Sequence, residues 1–189
     1  MTVMKEDKHL FSQLESLALV CGAAGAAVLP AESIVTSAEF RRICESNGCG
    51  KYNRCWVCPP HIGEIDDLIP QVHQYPFALL YQTISHLEDS FDIEGMLKAG
   101  ANHAALSQRL QHACKDVLNG NFLHLTCGGC HLCERCAKLS GESCRQPEKA
   151  LPSLEGYGVD VYRTVRSTTL RYTNGANTVT YFGMILFNV

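Results

Sequence analysis

Phe122-Leu123-His124-Leu125-Thr126-Cys127-Gly128-Gly129-Cys130-His131-Leu132-Cys133-Glu134-Arg135-Cys136, followed after seven residues by Cys144-Arg145-Gln146-Pro147, combines two patterns in one stretch. Phe122, His124 and Thr126 alternate with Leu123 and Leu125, the period of two expected of a strand. That strand runs directly into Cys130-x2-Cys133-x2-Cys136. Two-residue gaps let a tight loop wrap a cubane so that successive thiolates reach different irons, and bacterial ferredoxins place a fourth cysteine a little later, near a proline. Cys144 and Pro147 fill those positions. Zinc sites more often use two separated C-x2-C knuckles, so three cysteines in one run favour iron–sulfur. Cys127 is one thiol more than a cubane needs, and reads as a buried thiol at the strand end.

Working outward from this loop, helical spacing of Leu10, Leu14, Leu17 and Leu19 predicts a helix over Asp7 to Val20, broken by Gly22 and Gly25. Ala26 to Val35 reads as a strand interrupted at Pro30, and Ser37 as the cap of a helix carrying Phe40, Ile43 and Cys44. Ile65, Leu68, Ile69 and Val72 predict a short helix, and Phe77 to Ile84 a buried strand. The longest helical pattern is Asp92 to Leu118, with Leu97, Ala101, Ala104, Leu110, Cys114 and Val117 on its expected apolar face. Asp160 is expected to cap a helix running to about Leu170, and Val179 to Phe187 alternates as a last strand. No linker, repeat or low-complexity tract divides the chain, so residues 1–189 are expected to form one α/β domain. Its sheet of about four strands is packed by helices, with cysteine loops at 44–60 and 127–147 meeting at one end.

The first loop is Cys44-x4-Cys49-x5-Cys55-x2-Cys58-Pro59-Pro60. Four thiols in so short a loop are expected to hold metal, because isolated cysteines do not normally crowd together. In two-cluster ferredoxins the late cysteine serves the other cluster, so Cys144 belongs to the second site or completes the first. Lys51, Arg54, Arg135, Lys138, Arg145 and Lys149 in or beside the loops suit an anionic cofactor, or simply solvate the loops. His61 and His131 carry imidazoles that suit iron and zinc. His131 is expected to point outward, and His103, His112 and His124 to be ordinary, partly buried side chains. Pro152 to Asp160 is glycine-punctuated and reads as a loop ending in a helix cap; the alternative is a pocket wall with Glu155 or Tyr157 handling a proton.

The whole chain has 189 residues, 46% of them hydrophobic, with a net charge of −3. It is too apolar for intrinsic disorder, and it lacks the broad basic footprint of a nucleic-acid or anionic-membrane protein. Eleven cysteines would leave one thiol over from a complete disulfide framework. The apolar run Leu17 to Pro30 is too short to span a bilayer, and Lys5, Glu6, Asp7 and Lys8 before it are mixed in sign. A cytoplasmic protein with reduced thiols is expected, its cysteines serving as metal ligands or redox groups. No P-loop, G-x-S-x-G or His-Glu-x-x-His motif is present, and Gly22-Ala-Ala-Gly25 lacks the dinucleotide spacing.

Three segments together, Cys44…Cys49-Gly-Lys-Tyr…Cys58-Pro-Pro, Cys130-x2-Cys133-x2-Cys136…Cys144-Arg-x-Pro147 and Pro152-Ser-x-Glu-Gly-x-Gly-Val-Asp-Val161, resemble a family of small prokaryotic "predicted metal-binding proteins", a domain of unknown function. The resemblance spans about residues 20 to 188. It implies a metal or iron–sulfur role for Cys44, Cys49, Cys58, Cys130, Cys133, Cys136 and Cys144, with Cys55 and Cys127 outside the family's core pattern. It implies no reaction.

The resulting expectation is a metal-binding protein with one [4Fe–4S] cluster, or two. Cys130, Cys133, Cys136 and Cys144 bind the cofactor, and Cys44, Cys49, Cys55 and Cys58 are the other metal ligands. Its role is electron transfer with a redox partner protein or small molecule, without nucleic acid or membrane. The alternatives are a zinc-binding structural or interaction module and a thiol redox or metal-trafficking protein using Cys55-Trp-Val-Cys58.

Overall fold

The structure, a computed structural model, describes residues 5–189; the first four residues of the expected domain lie outside it. Helix α1 (Lys5–Val20) ends at Gly22, whose φ of 104° suits glycine. Strand β1 (Gly25–Pro30) stops at the proline, and the rest of the expected strand is a 3-10 turn over Ala31–Ser33. Helix α2 (Glu39–Glu45) begins two residues after Ser37, whose Oγ accepts from the Glu39 N–H at 3.2 Å. Helix α3 (Ile65–His73) and strand β2 (Phe77–His86) follow, and then helix α4 (Ile93–Val117), capped by the Asp92 carboxylate accepting from the Gly95 N–H at 2.8 Å. Strand β3 (Phe122–Leu125), helix α5 (Val161–Thr164) and strand β4 (Thr178–Phe187) complete the chain.

Two helices depart from expectation. The helix after Asp160 gives way to a 3-10 turn over Val165–Ser167, well short of Leu170. There Ser167 and Thr168 hydroxyls donate to the Thr164 and Val165 carbonyls at 2.8 Å each, competing with the helical ladder. On α4 the buried face is Ala99, His103, Leu106, Ser107, Leu110 and Cys114, while Leu97 is 70% exposed and Ala101 also faces out. The expected face was drawn through apolar residues only. The true one admits His103 and Ser107 because His103 Nδ1 and the Ser107 hydroxyl find partners inside.

The four strands form one antiparallel sheet in the order β1-β2-β4-β3. Central β2 is covered on both faces, so Leu79 and Leu80 are both fully buried. One core holds Leu79, Tyr81, Ile185 and Phe187 against Leu14 of α1 and Leu106 and Leu110 of α4. The other sets Leu80, Phe182, Met184 and Leu186 against Leu68 and Val72 of α3 and Leu154, Val159 and Val165. Tyr81 pairs across the sheet with Gly183, and a Cβ there would fall on the Tyr81 ring and hydroxyl. Gly183→Ala is therefore expected to cost ~1–3 kcal/mol through overpacking, read as a fall in the urea midpoint; an unchanged midpoint would contradict this packing.

Tyr81 also anchors a buried polar chain between α4 and the sheet. Its hydroxyl lies 2.7 Å from His124 Nε2 and 2.8 Å from Ser107 Oγ, and Ser107 Oγ lies 3.1 Å from Thr126 Oγ1. His124 Nδ1 is 2.8 Å from Gln111 Oε1. With that carbonyl accepting from Nδ1–H, Nε2 is left to accept the Tyr81 O–H. His103 stacks on the Tyr81 ring with centroids 5.5 Å apart, and its Nδ1 is 2.9 Å from Thr83 Oγ1. His103 and His124 are thus fully enclosed rather than partly buried as expected, while His112 is exposed. The chain ends at Thr126, the root of the second cysteine loop.

Candidate metal centre

The second loop leaves and returns at one point. Thr126 N–H donates to Pro152 O and Leu154 N–H to Thr126 O, both at 2.8 Å, a parallel bridge that closes the loop at its base. The returning segment continues as a strut to the residues that lead into α2. Ser37 N–H donates to Gly158 O at 2.7 Å and Asp160 N–H to Val35 O at 2.8 Å, just ahead of α2. The first loop is tied across its own ends by buried Arg41, whose Nη2 donates to Gly63 O at 2.8 Å. Residues 152–160 therefore do more than end in a cap, although Asp160 does cap α5 by accepting from the Arg163 N–H at 2.9 Å.

Direct contacts then pack one loop on the other. Trp56 Nε1 donates to Glu142 O at 2.9 Å, and Lys138 Nζ stands 5.2 Å over the Trp56 ring. The Lys51 stem lies so close to Gly129 that a Cβ there would meet Lys51 Cγ at 2.6 Å. Side-chain-free backbone at this point lets the two loops close together.

This packing sorts the cysteines differently from their order in sequence. Cys55, from the first loop, lines one cavity with Cys130, Cys133, Cys136 and Cys144. Cys144 thus stands with the second-loop thiols. An adjoining open groove of about 630 Å³ is lined by Cys49, Cys55, Cys130, Cys133 and Cys136, with Lys51, Arg54 and Arg135 among its walls. Cys58 is buried, Cys44 is half-buried in the last turn of α2, and Cys49 is exposed. Cys127 lies at the end of β3 outside both cavities, where burial pushes its thiol up to about 12. His61 is exposed and bonds Asn53 Oδ1 at 2.7 Å, and His131 is exposed; neither lines a cavity.

Cys55 is the electrostatic hub of the set. Hydrogen bonds from the Cys130 and Cys58 thiols pull its pKa down. The same bonds, with burial, push Cys130 and Cys58 up. A metal bound by these sulfurs would displace the remaining thiol protons to solvent, so its binding would be favoured by rising pH. Gln146 Nε2 donates to Cys133 Sγ at 3.7 Å. Cys44 is raised by burial and then by the nearby Glu155 carboxyl, itself raised by burial.

The donor set fits an iron–sulfur cluster in kind: five soft thiols facing one space, with cations beside them. Among the described residues, no three His, Cys, Asp or Glu side chains converge closely enough to hold a single ion. The thiols line a space rather than grip a point. Sequence reasoning missed the grouping of Cys55 with the second loop and the bracing roles of Trp56 and the 152–160 strut. The lone tryptophan beside Cys55 was the available signal.

Among the described residues no helix is long and apolar enough to cross a membrane. No curated protein and no solved structure matches the chain. A family described as "predicted metal-binding protein", a domain of unknown function (DUF2284), matches residues 27–187. With most of its length covered by that match, the chain belongs to this family of predicted metal-binding proteins.

Proposed function

We propose that the chain is a [4Fe–4S] protein that carries single electrons to and from a redox partner protein or small molecule in the cytoplasm. The observation that carries this reading is the cavity where Cys55 joins Cys130, Cys133, Cys136 and Cys144. The Cys130-x2-Cys133-x2-Cys136 spacing suits a cubane better than zinc. When bound, such a cluster supplies one-electron chemistry, and the chain's own groups set its potential.

Those groups have separable roles in this reading. Cys130, Cys133 and Cys136 hold three corners, and a fourth thiol, Cys144 by the ferredoxin pattern, holds the last. The Gln146 amide and the cations Lys51, Arg54 and Arg135 favour the more negative, reduced state and so raise the potential. Trp56 and Leu132 beside the narrower cavity limit water there. The open groove gives a reactant access to the cluster edge. A second centre would draw on Cys44, Cys49 and Cys58, which lie close enough for Cys49 and Cys44 to raise the Cys58 pKa. A cytoplasmic location would keep these thiols reduced and available as ligands.

The test is spectroscopic. Protein purified without oxygen is expected to be brown, with a broad band near ~400 nm from thiolate-ligated iron that dithionite bleaches. A colourless, zinc-loaded protein would replace this reading with a structural module, and a folded, metal-free protein with a titratable Cys55–Cys58 dithiol would replace it with thiol chemistry.

A further inference from the structure

Five thiols line the narrower cavity, one more than the four corners of a cubane. Cys130, Cys133 and Cys136 are fixed as three of the ligands by their tight spacing. The two thiols left arrive from different directions. Cys144 comes from the returning limb of the second loop, beside Arg145 and Gln146, which bond Arg135 O and Leu132 O at 3.2 and 3.3 Å. Cys55 comes from the first loop, is 3% exposed, and stands between Trp56 and Val57 in the same wall. It also lines the open groove, which Cys144 does not.

We infer that Cys55 and Cys144 are alternative ligands of one cluster corner, so that the cluster is held either wholly by the second loop or across both loops. This rests on the iron–sulfur reading above and adds to it a ligand from the first loop. The crowding supports it: a thiol already buried against Cys130 needs no new backbone path to replace its neighbour, because both already face the space the cluster would fill. The arrangement also links cluster ligation to loop docking. With Cys55 engaged, the first loop is clamped through Trp56 and Lys51; with Cys144 engaged, those contacts alone hold it.

The experiment compares anaerobically reconstituted full-length wild type, Cys55→Ser, Cys144→Ser, the double variant and Cys133→Ser, by iron per chain and the electron paramagnetic resonance of the dithionite-reduced protein. Cys55→Ala accompanies Cys55→Ser, because a buried serine hydroxyl could itself disturb folding. Each single variant is expected to keep the iron content of wild type, with a changed resonance only where the fourth ligand has switched. The double variant is expected to lose at least one iron per chain. The inference is overturned if either single variant already shows the deficit of the double variant, or if the double variant keeps all the iron of wild type. Wild type that takes up no iron overturns both this inference and the reading beneath it, and that result appears before any variant is compared. Cys133→Ser with undiminished iron, alongside iron-loaded wild type, would overturn the reading of the second loop and with it this inference.

Discussion

Cys133→Ser protein is expected to lose its metal and much of its stability together. Cys133 is the middle ligand of the tight run and lines both the cavity and the groove, and its corner is not the one that Cys55 and Cys144 share. The two loops carry little apolar core of their own; residues 46–54 are nearly all exposed or half-buried, without a regular element. A ligand that binds only the folded chain, at a thousand times its Kd, adds ~4 kcal/mol. For a chain of this size that corresponds to about 8 to 16 °C in Tm. Iron is expected to fall roughly tenfold, with a drop in Tm of that order, in calorimetry of the two proteins side by side. Cys21→Ser, a half-buried thiol after α1 and remote from the loops, is expected to change neither. Equal iron and equal Tm in Cys133→Ser and wild type would show that the second loop is not organised by metal.

Acid is expected to destabilise the chain through the two enclosed histidines. Burial lowers His124 to about 3 and His103 to about 4, from an ordinary value near 6.5. Below pH 6.5 the unfolded chain therefore binds two protons that the folded chain refuses, and stability falls as pH falls. The slope is about 1.4 kcal/mol per pH unit for each histidine, which sums to at most ~5 kcal/mol between pH 6.5 and 4.5. The raised Glu155 works with the opposite sign, since its folded form keeps a proton that the unfolded carboxyl gives up. Comparison with His124→Gln removes that and every other shared contribution. The glutamine keeps a neutral partner for Tyr81, and urea denaturation from pH 4.5 to 7.5 is expected to show about half the wild-type histidine slope. Parallel pH profiles for the two proteins would contradict a neutral, enclosed His124.

The sheet and its helices were legible because their signals are local. The alternation in Val179 to Phe187, the continuous apolar run from Phe77, and the i, i+3, i+4, i+7 pattern of Ile65, Leu68, Ile69 and Val72 each demand one period. What stayed hidden depends on distant partners. His103 and Ser107 look like solvent-facing breaks in an apolar stripe until Tyr81, Thr83, His124 and Thr126 are brought against them. Cys55 reads as a first-loop residue because Cys58 is three positions away, whereas Cys130 is brought to it only by the docking of Trp56 and Lys51. The strut from Pro152 to Asp160 carries hydrogen bonds to Thr126 at the root of the second loop and to Val35 and Ser37 ahead of α2, and backbone bonds leave no mark on composition. The thiol-rich loops themselves were legible from spacing alone, because ligand chemistry restricts residue type as well as distance.

Iron, zinc and acid-labile sulfide, measured together on wild-type protein purified and kept without oxygen, test the central claim most directly. About four irons and four sulfides per cluster, without stoichiometric zinc, is the predicted result. Stoichiometric zinc without sulfide, or a folded protein holding neither metal and unchanged by exhaustive chelation, would contradict it.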